Sequence, residues 1–264
     1  MVGERSSAAT ECLQVRCVHL LYHELRPLPH PYSYTVGTRL FERHADAVEQ
    51  ASKEQDQSAS AEFTFDDGNA SDFEYALPIL SSRALRGRFF ITVGWIGNKQ
   101  GFMGWQQLKR LCDAGHIIGG HGWSHALLTH CSPKELDREL RASRETLEDR
   151  LAVPVTTMSL PGGRFNRQVL AACRQAGYTQ VFTSIPRIET TTAGFTVGRV
   201  NVSAHRSPDW ILALLRPHSS ALARLRRQYA MKRSARALVG DWLYERIWGA
   251  LTGGALDRRV DGGT

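Results

Sequence analysis

Cysteine is scarce in this chain: five residues in 264, at positions 12, 17, 112, 131 and 173, odd in number and scattered. No CxxC pair occurs, so no disulfide framework is encoded and buried thiols are expected. Long apolar runs are missing as well. "MVGERSSAATECLQVRC" lacks the apolar core and cleavage site of a signal peptide, and no later segment has the length to cross a bilayer; the cytoplasm is the expected location. No internal repeat occurs. Acidic residues are the minority, and the formal charge of +7 points to anionic surroundings: nucleic acid, acidic lipid headgroups or an acidic substrate. What remains is ordinary globular composition, 42% hydrophobic and 22% charged, enough for one large domain with or without a small appendage.

Along the chain, strand-like and helix-like runs alternate. "LQVRCVHLLYHEL" (13–25) is a β-type run that ends in the proline-rich "RPLPHPYSYT", and "LFERHADAVEQA" (40–51) has helical period. "AEFTF" (61–65) reads as a strand. "SDFEYALPILSSRAL" reads as a helix, with Ser71 as its N-cap, Pro78 disturbing its course, and Asn69 and Asp72 capping its start. "GRFFITVGW", "HIIGGH", "VTTMSLP" and "YTQVFTS" are further strands. They are separated by helices over "GWQQLKRLCDAG", closed by Gly115, over "SPKELDRELRASRETLEDRLA", opened by Ser132, Pro133 and Glu135, and over "NRQVLAACRQAG". Such alternation builds a parallel sheet with covered faces, open or closed into a barrel, whose chemistry gathers at the carboxyl ends of the strands.

Three glycine-containing loops sit at such ends: "DDGNAS" after the strand 61–65, "GGHGWSHALLTH" and "SLPGGRFN". In the first, two adjacent carboxylates repel each other, and a turn alone gives no reason for the pair. In the second, His121 and His125 are four apart, a spacing that lets one face of a helical turn offer both imidazoles to one metal ion. Two histidines and a carboxylate from another strand end leave open positions on Zn²⁺ for water and substrate. One acid of the pair can then ligate the cation while its neighbour takes a proton from the activated water, and Gly68 lets the backbone turn behind them. His130 reads as solvent-exposed or as a helix-start residue.

With these motifs in order, the chain resembles the NodB-homology polysaccharide deacetylases, carbohydrate esterase family four. "TFDDG" (64–68), "HGWSH" (121–125) and the stretch between them carry the likeness, over roughly residues 17–200. "YHEL" (22–25), "SRETLEDRL" and "SLPGGRFN" resemble the bacterial exopolysaccharide branch. The resemblance implies a distorted (β/α)7-type barrel over residues 13–205 and a metal-dependent hydrolase that removes the N-acetyl group from an amino sugar by attack of metal-bound water. It assigns Asp66 as general base and Asp67, His121 and His125 as metal ligands, with Zn²⁺ the expected ion. The general acid is His23 or His205. Gly162 offers an oxyanion N–H, and Arg199 matches a recurring arginine of that branch, its bland role being a strand-end surface cation. Trp123, between the histidines, is the best placed aromatic for a sugar ring, while Trp95 and Trp105 read as core or rim. Departures are visible too. Gly122 stands where the family has Ser or Thr, which leaves Ser124 to supply the hydroxyl. The third motif reads Ser159-Leu160-Pro161-Gly162, without the arginine that orients the base, so Arg164 is the expected replacement.

Residues 206–264 lie outside the likeness and read as a basic helical extension with a disordered end, "DRRVDGGT". Arg224, Arg226, Arg227, Lys232, Arg233 and Arg236 beside apolar residues suit an anionic membrane surface near a lipid-linked saccharide. No nucleic-acid motif accompanies them. Rival readings are a C–N hydrolase of non-sugar amides on the same scaffold and an inactive carbohydrate-binding relative.

Overall fold

Short runs of β-branched and aromatic residues pair into one nearly closed sheet in the computed structural model, which describes residues 16–28, 30–54, 59–190, 194–217 and 219–239. Cys12, part of the polar loop at 52–60, and the tail from residue 240 onward lie outside the described residues, as do the side chains of residues 236–239. The sheet comprises β1 (Arg16–Tyr22), β4 (Ser60–Phe65), β5 (Gly87–Ile91), β6 (Ile117–Gly120), β7 (Thr157–Ser159), β8 (Gln180–Phe182), β9 (Glu189–Thr190), β10 (Thr196–Val197) and β11 (Val200–Asn201). A separate parallel pair, β2 (Glu24–Arg26) and β3 (Thr35–Gly37), flanks it. The order is β10-β8-β7-β6-β5-β4-β1-β11, parallel throughout that path, and β9 lies antiparallel on β1.

The closure is a property of one segment. Thr196 and Val197 pair with β8 at one edge of the sheet, and Val200 and Asn201 pair with β1 at the other. Residues 196–201 therefore bridge the two edges, with Arg199 between them. Counting that bridging segment once, the wall is the seven-membered distorted barrel expected from the sequence.

Helices cover the outside: α1 (Thr38–Lys53), α2 (Leu77–Ser81), α3 (Trp105–Asp113), α4 (Pro133–Asp137), α5 (Ser143–Leu151), α6 (Arg167–Gln175), α7 (Pro208–Leu215) and α8 (Ser220–Val239). Ser132 caps α4 in a reciprocal box with Glu135, and Asn166 caps α6, as their sequences require. Wide π-type turns interrupt two helical runs, at Asp72–Ala76 before α2 and at Arg138–Ala142 between α4 and α5. The first displaces the caps expected there. Ser71 is already helical and makes no cap bond, Asp72 is buried, and the Asn69 amide donates instead to the His23 carbonyl at 2.6 Å.

Alternation along the strands sorts side chains into two cores. Val18, Leu20, Tyr22, Phe63, Phe65 and Phe89 pack outward under the helices, joined by Ile211, Leu214 and Leu215 of α7. Phe90, Phe182 and Val197 form a second, smaller cluster inside the barrel. Of the described cysteines all are free, with Cys173 buried and Cys17, Cys112 and Cys131 partly so.

Candidate active site

The acidic pair leaves β4 at its carboxyl end and splits. Asp66, 4% exposed, continues the inward alternation of Glu62 and Thr64 and points into the barrel mouth. Asp67 takes a left-handed conformation (φ 77°), which turns its carboxylate toward the loop after β6. Strain of this kind in a residue with a side chain is confined to places where the surroundings enforce it. His125, on that loop, is left-handed too (φ 65°). The helical turn expected for residues 121–125 is absent. The loop bends back instead, pinned by the Val93 N–H on the Gly122 carbonyl (3.1 Å) and the Gly94 N–H on the Trp123 carbonyl (2.8 Å).

The bend nonetheless brings both rings to Asp67. Its Oδ1 lies 3.3 Å from His121 Nε2 and 3.3 Å from His125 Nε2, and the three ligand atoms fall within 4.8 Å of one another. The His121 Nδ1 is 2.8 Å from the Ser159 carbonyl, which can only accept, so the ring proton sits there and Nε2 presents a lone pair. A carboxylate oxygen and an imidazole lone pair face each other across 3.3 Å, an arrangement that a cation between them relieves. Two nitrogen donors and one oxygen fit a zinc-like ion, with the Ser159 carbonyl holding the His121 tautomer. Burial alone would raise the Asp67 carboxyl; when both rings are protonated instead, their hydrogen bonds and charge hold it well below the usual carboxylate range.

Asp66 is held differently. Arg199 Nη1 donates to its Oδ1 at 2.7 Å and Nη2 to its Oδ2 at 2.9 Å, a forked pair that Ser159 Oγ joins at 3.0 Å. Arg199 also reaches Ser159 Oγ (2.8 Å) and, through Nε, the Thr183 carbonyl (3.2 Å). Burial raises the Asp66 carboxyl, and the Arg199 charge, with a smaller share from His121, outweighs it, so the net displacement is downward. Arg199 is 1% exposed. It is no surface cation: the guanidinium that orients Asp66 is this one, while Arg164 lies half-buried on the loop after β7. Ser159 gave no signal beyond its strand-end position.

The two candidate acids separate clearly. His23 follows β1 directly, and its imidazole is lowered by burial against the opposing pull of the Asp67 and Asp66 charges, which puts it at the same mouth. His205 is exposed on the turn leading to α7. Gly162 is exposed and left-handed (φ 64°) just beyond Ser159, beside Leu127. The tryptophans exchange roles. Trp95 stacks on the His125 ring, 5.3 Å between centroids at 26°, with Lys99 Nζ 3.7 Å above the indole. Trp123 faces the back of the loop, its ring edge against Gly94 and Arg138 over its face at 5.3 Å.

Comparison with known proteins now bears on this geometry. Residues 53–181 match the family described as polysaccharide deacetylase. Over that stretch, a little under half of its length, the chain resembles the polysaccharide deacetylase family. Among curated relatives, the Bacillus subtilis peptidoglycan-N-acetylmuramic acid deacetylase PdaA is 29% identical over 133 residues, 48% of this chain and 47% of its own. The chain spans about half the length of the curated relatives it matches. Two solved structures share the deacetylase fold. The Streptococcus pyogenes deacetylase PplD has a TM-score of 0.70 at 19% identity, covering 77% of this chain and 100% of its own. IcaB from Ammonifex degensii has a TM-score of 0.63 at 22% identity, covering 80% and 97%. The deacetylase match includes the strand ends that carry Asp66, Asp67, His121, His125 and Ser159, and it stops short of Arg199.

Proposed function

We propose that this domain hydrolyses the N-acetyl group of an amino sugar, in a polysaccharide, an oligosaccharide or a lipid-linked glycan, with a divalent cation held by Asp67, His121 and His125. The observation that carries the reading is Asp67 Oδ1 standing 3.3 Å from both histidine Nε2 atoms. The family match supports amide hydrolysis, and the donor set suits zinc. Such a cation, when bound, lowers the pKa of water and polarises the amide carbonyl.

The chain's own groups divide the remaining work. Asp66, kept ionised by Arg199 and Ser159, accepts a proton from the attacking water. The Gly162 N–H is the proposed donor to the developing oxyanion. His23, a stronger acid than a solvated imidazole, hands a proton to the departing amine; exposed His205 is the poorer candidate. Trp95 offers a ring face to the sugar.

Acetate release from N-acetylglucosamine oligomers, measured beside bound metal, tests this. Asp67→Ala loses metal and turnover together. Asp66→Asn keeps metal and loses turnover by roughly 10²–10⁴-fold; full activity there removes Asp66 as the base. Tight metal without turnover on any acetylated sugar favours a different amide substrate, and no metal favours a binding relative.

The same proposal sets the enzyme at an anionic membrane surface. Its support is α8, which exposes Arg224, Arg226, Arg227, Lys232 and Arg233.

A further inference from the structure

The loop that carries both histidines rests on a buried carboxylate. Glu139, 5% exposed, accepts the N–H of Trp123 at 2.7 Å and that of Ser124 at 3.0 Å on Oε2, and the Ser124 hydroxyl at 2.6 Å on Oε1. Among the described residues no cation pairs with it, so these three donors are what compensate its loss of water. Its position is set by the wide turn at Arg138–Ala142, whose backbone is tied by the Ser143 hydroxyl on the Glu139 carbonyl at 2.6 Å. An uninterrupted helix from Pro133 to Leu151 would rotate the side chain off this bearing.

Gly122 belongs to the same arrangement. It is left-handed (φ 81°), and a Cβ there would meet Glu139 Oε2 at 2.8 Å. The carboxylate thus occupies the space of a side chain at 122, and any other residue there would have to push it aside. The left-handed bend, in turn, is what aims the two following N–H groups at one acceptor, a small anion nest filled from within the chain.

We infer that Glu139 is a positioning residue for metal binding: it fixes the separation and tilt of His121 and His125, whose ring centroids are 5.1 Å apart at 56°. This rests on the reading of Asp67, His121 and His125 as one cation site. A carboxylate buried behind a bend, satisfied only by that bend, does little for the hydrophobic core; its effect falls on the residues at either end of the loop. It touches neither ring and acts through the backbone between them; the loss of groups that orient metal ligands weakens metal binding by about 10–100-fold.

The test is zinc affinity by competition with a chromophoric chelator, together with the visible spectrum of the cobalt-substituted protein. Wild type, Glu139→Ala, Glu139→Gln and Ser124→Ala are compared, with folding checked by circular dichroism. Glu139→Ala is expected to bind zinc about 10–100-fold more weakly and to change the cobalt band. Glu139→Gln, which keeps an acceptor oxygen for the two N–H groups, falls between. Ser124→Ala, at an exposed position, loses one donor and shows a few-fold effect; it keeps the question answerable if Glu139→Ala does not fold. Wild-type affinity and an unchanged cobalt spectrum in folded Glu139→Ala or Glu139→Gln overturn the inference while leaving the metal site standing. A wild-type protein that binds neither ion overturns the site itself and the inference with it.

Discussion

Arg199 and Asp66 are 133 positions apart, yet their forked pair is among the most sheltered ion pairs in the molecule. A guanidinium in this geometry does two things for a base. It fixes the carboxylate plane, and it keeps the carboxyl ionised in spite of burial. Removing it leaves Asp66 buried without a counter-charge, and the carboxyl must rise. The sign follows: a base that titrates higher loses its active form at a higher pH, so the acid limb of the rate profile moves upward. Arg199→Met is therefore expected to shift that limb to higher pH and to lower stability by about 3–5 kcal/mol, as breaking a buried pair does. Arg199→Lys keeps the charge without the fork and shows a smaller shift, with kcat down roughly tenfold or more from misorientation. Rate profiles of metal-loaded protein decide it; a limb that stays put in Arg199→Met means that Arg199 does not tune the base.

Strands β1, β4 and β5 give the barrel interior three layers. At the amino ends His19, Glu62 and Arg88 are linked, Nδ1 to Oε2 at 2.7 Å and Nη2 to Oε1 at 2.9 Å; Leu21, Thr64 and Phe90 follow, and then the mouth that holds Asp66. The lower polar layer plugs the end opposite the chemistry. Burial pushes the Glu62 carboxyl up, but the His19 hydrogen bond and the Arg88 charge outweigh it, and it sits below its ordinary 4.5. A carboxyl depressed by folding adds stability that is complete above its unfolded value and lost as pH falls through its folded one. Glu62→Gln should accordingly be less stable than wild type at pH 7 by about 1–3 kcal/mol, with the gap closing below pH 4.5. Thermal unfolding across that range checks it, and a gap independent of pH contradicts it. Elements such as these were readable from period and caps because each is a local matter. The meeting of Asp67, His121 and His125 was readable as well, since the three lie in short motifs at strand ends. The form of the loop was not: four-residue spacing suggests a helical turn, and only the contact with Glu139 makes a bend of it. Glu139 itself hides in "KELDRELRASRETLEDR", where every charge looks solvated until a wide turn re-aims one of them. Arg199 was picked out by resemblance, but its pairing with Asp66 escaped for the opposite reason. Its partner comes from barrel closure, which no local pattern encodes.

At the scale of the whole molecule the net charge of +7 is unevenly placed. On α8, Leu222, Leu225 and Tyr229 recur at three and four residues and turn toward α7 and the barrel, with Leu222 buried. The same spacing sets Arg224, Arg227 and Met231 on the opposite side, where Met231 is 67% exposed. Arg226, Arg233 and Tyr229 instead border a cavity of about 570 Å³ with Ile185, Pro186 and Arg187. Among the described residues the outward face thus offers cations around a single large apolar side chain, an arrangement suited to lie on a bilayer. Each basic residue near an anionic surface contributes on the order of 1 kcal/mol, so Arg224, Arg227 and Lys232 together give weak, reversible and salt-sensitive attachment. The full chain is expected to float with phosphatidylserine-containing vesicles at low salt, to remain behind with neutral vesicles, and to be released at high ionic strength. Reversing the outward charges, Arg224→Glu with Arg227→Glu, should abolish flotation while acetate release from a soluble oligomer is unchanged, because neither residue approaches the barrel mouth. Flotation that survives the double reversal, or that neutral vesicles support equally, would remove the membrane from this proposal and leave the arginines as a solvated face.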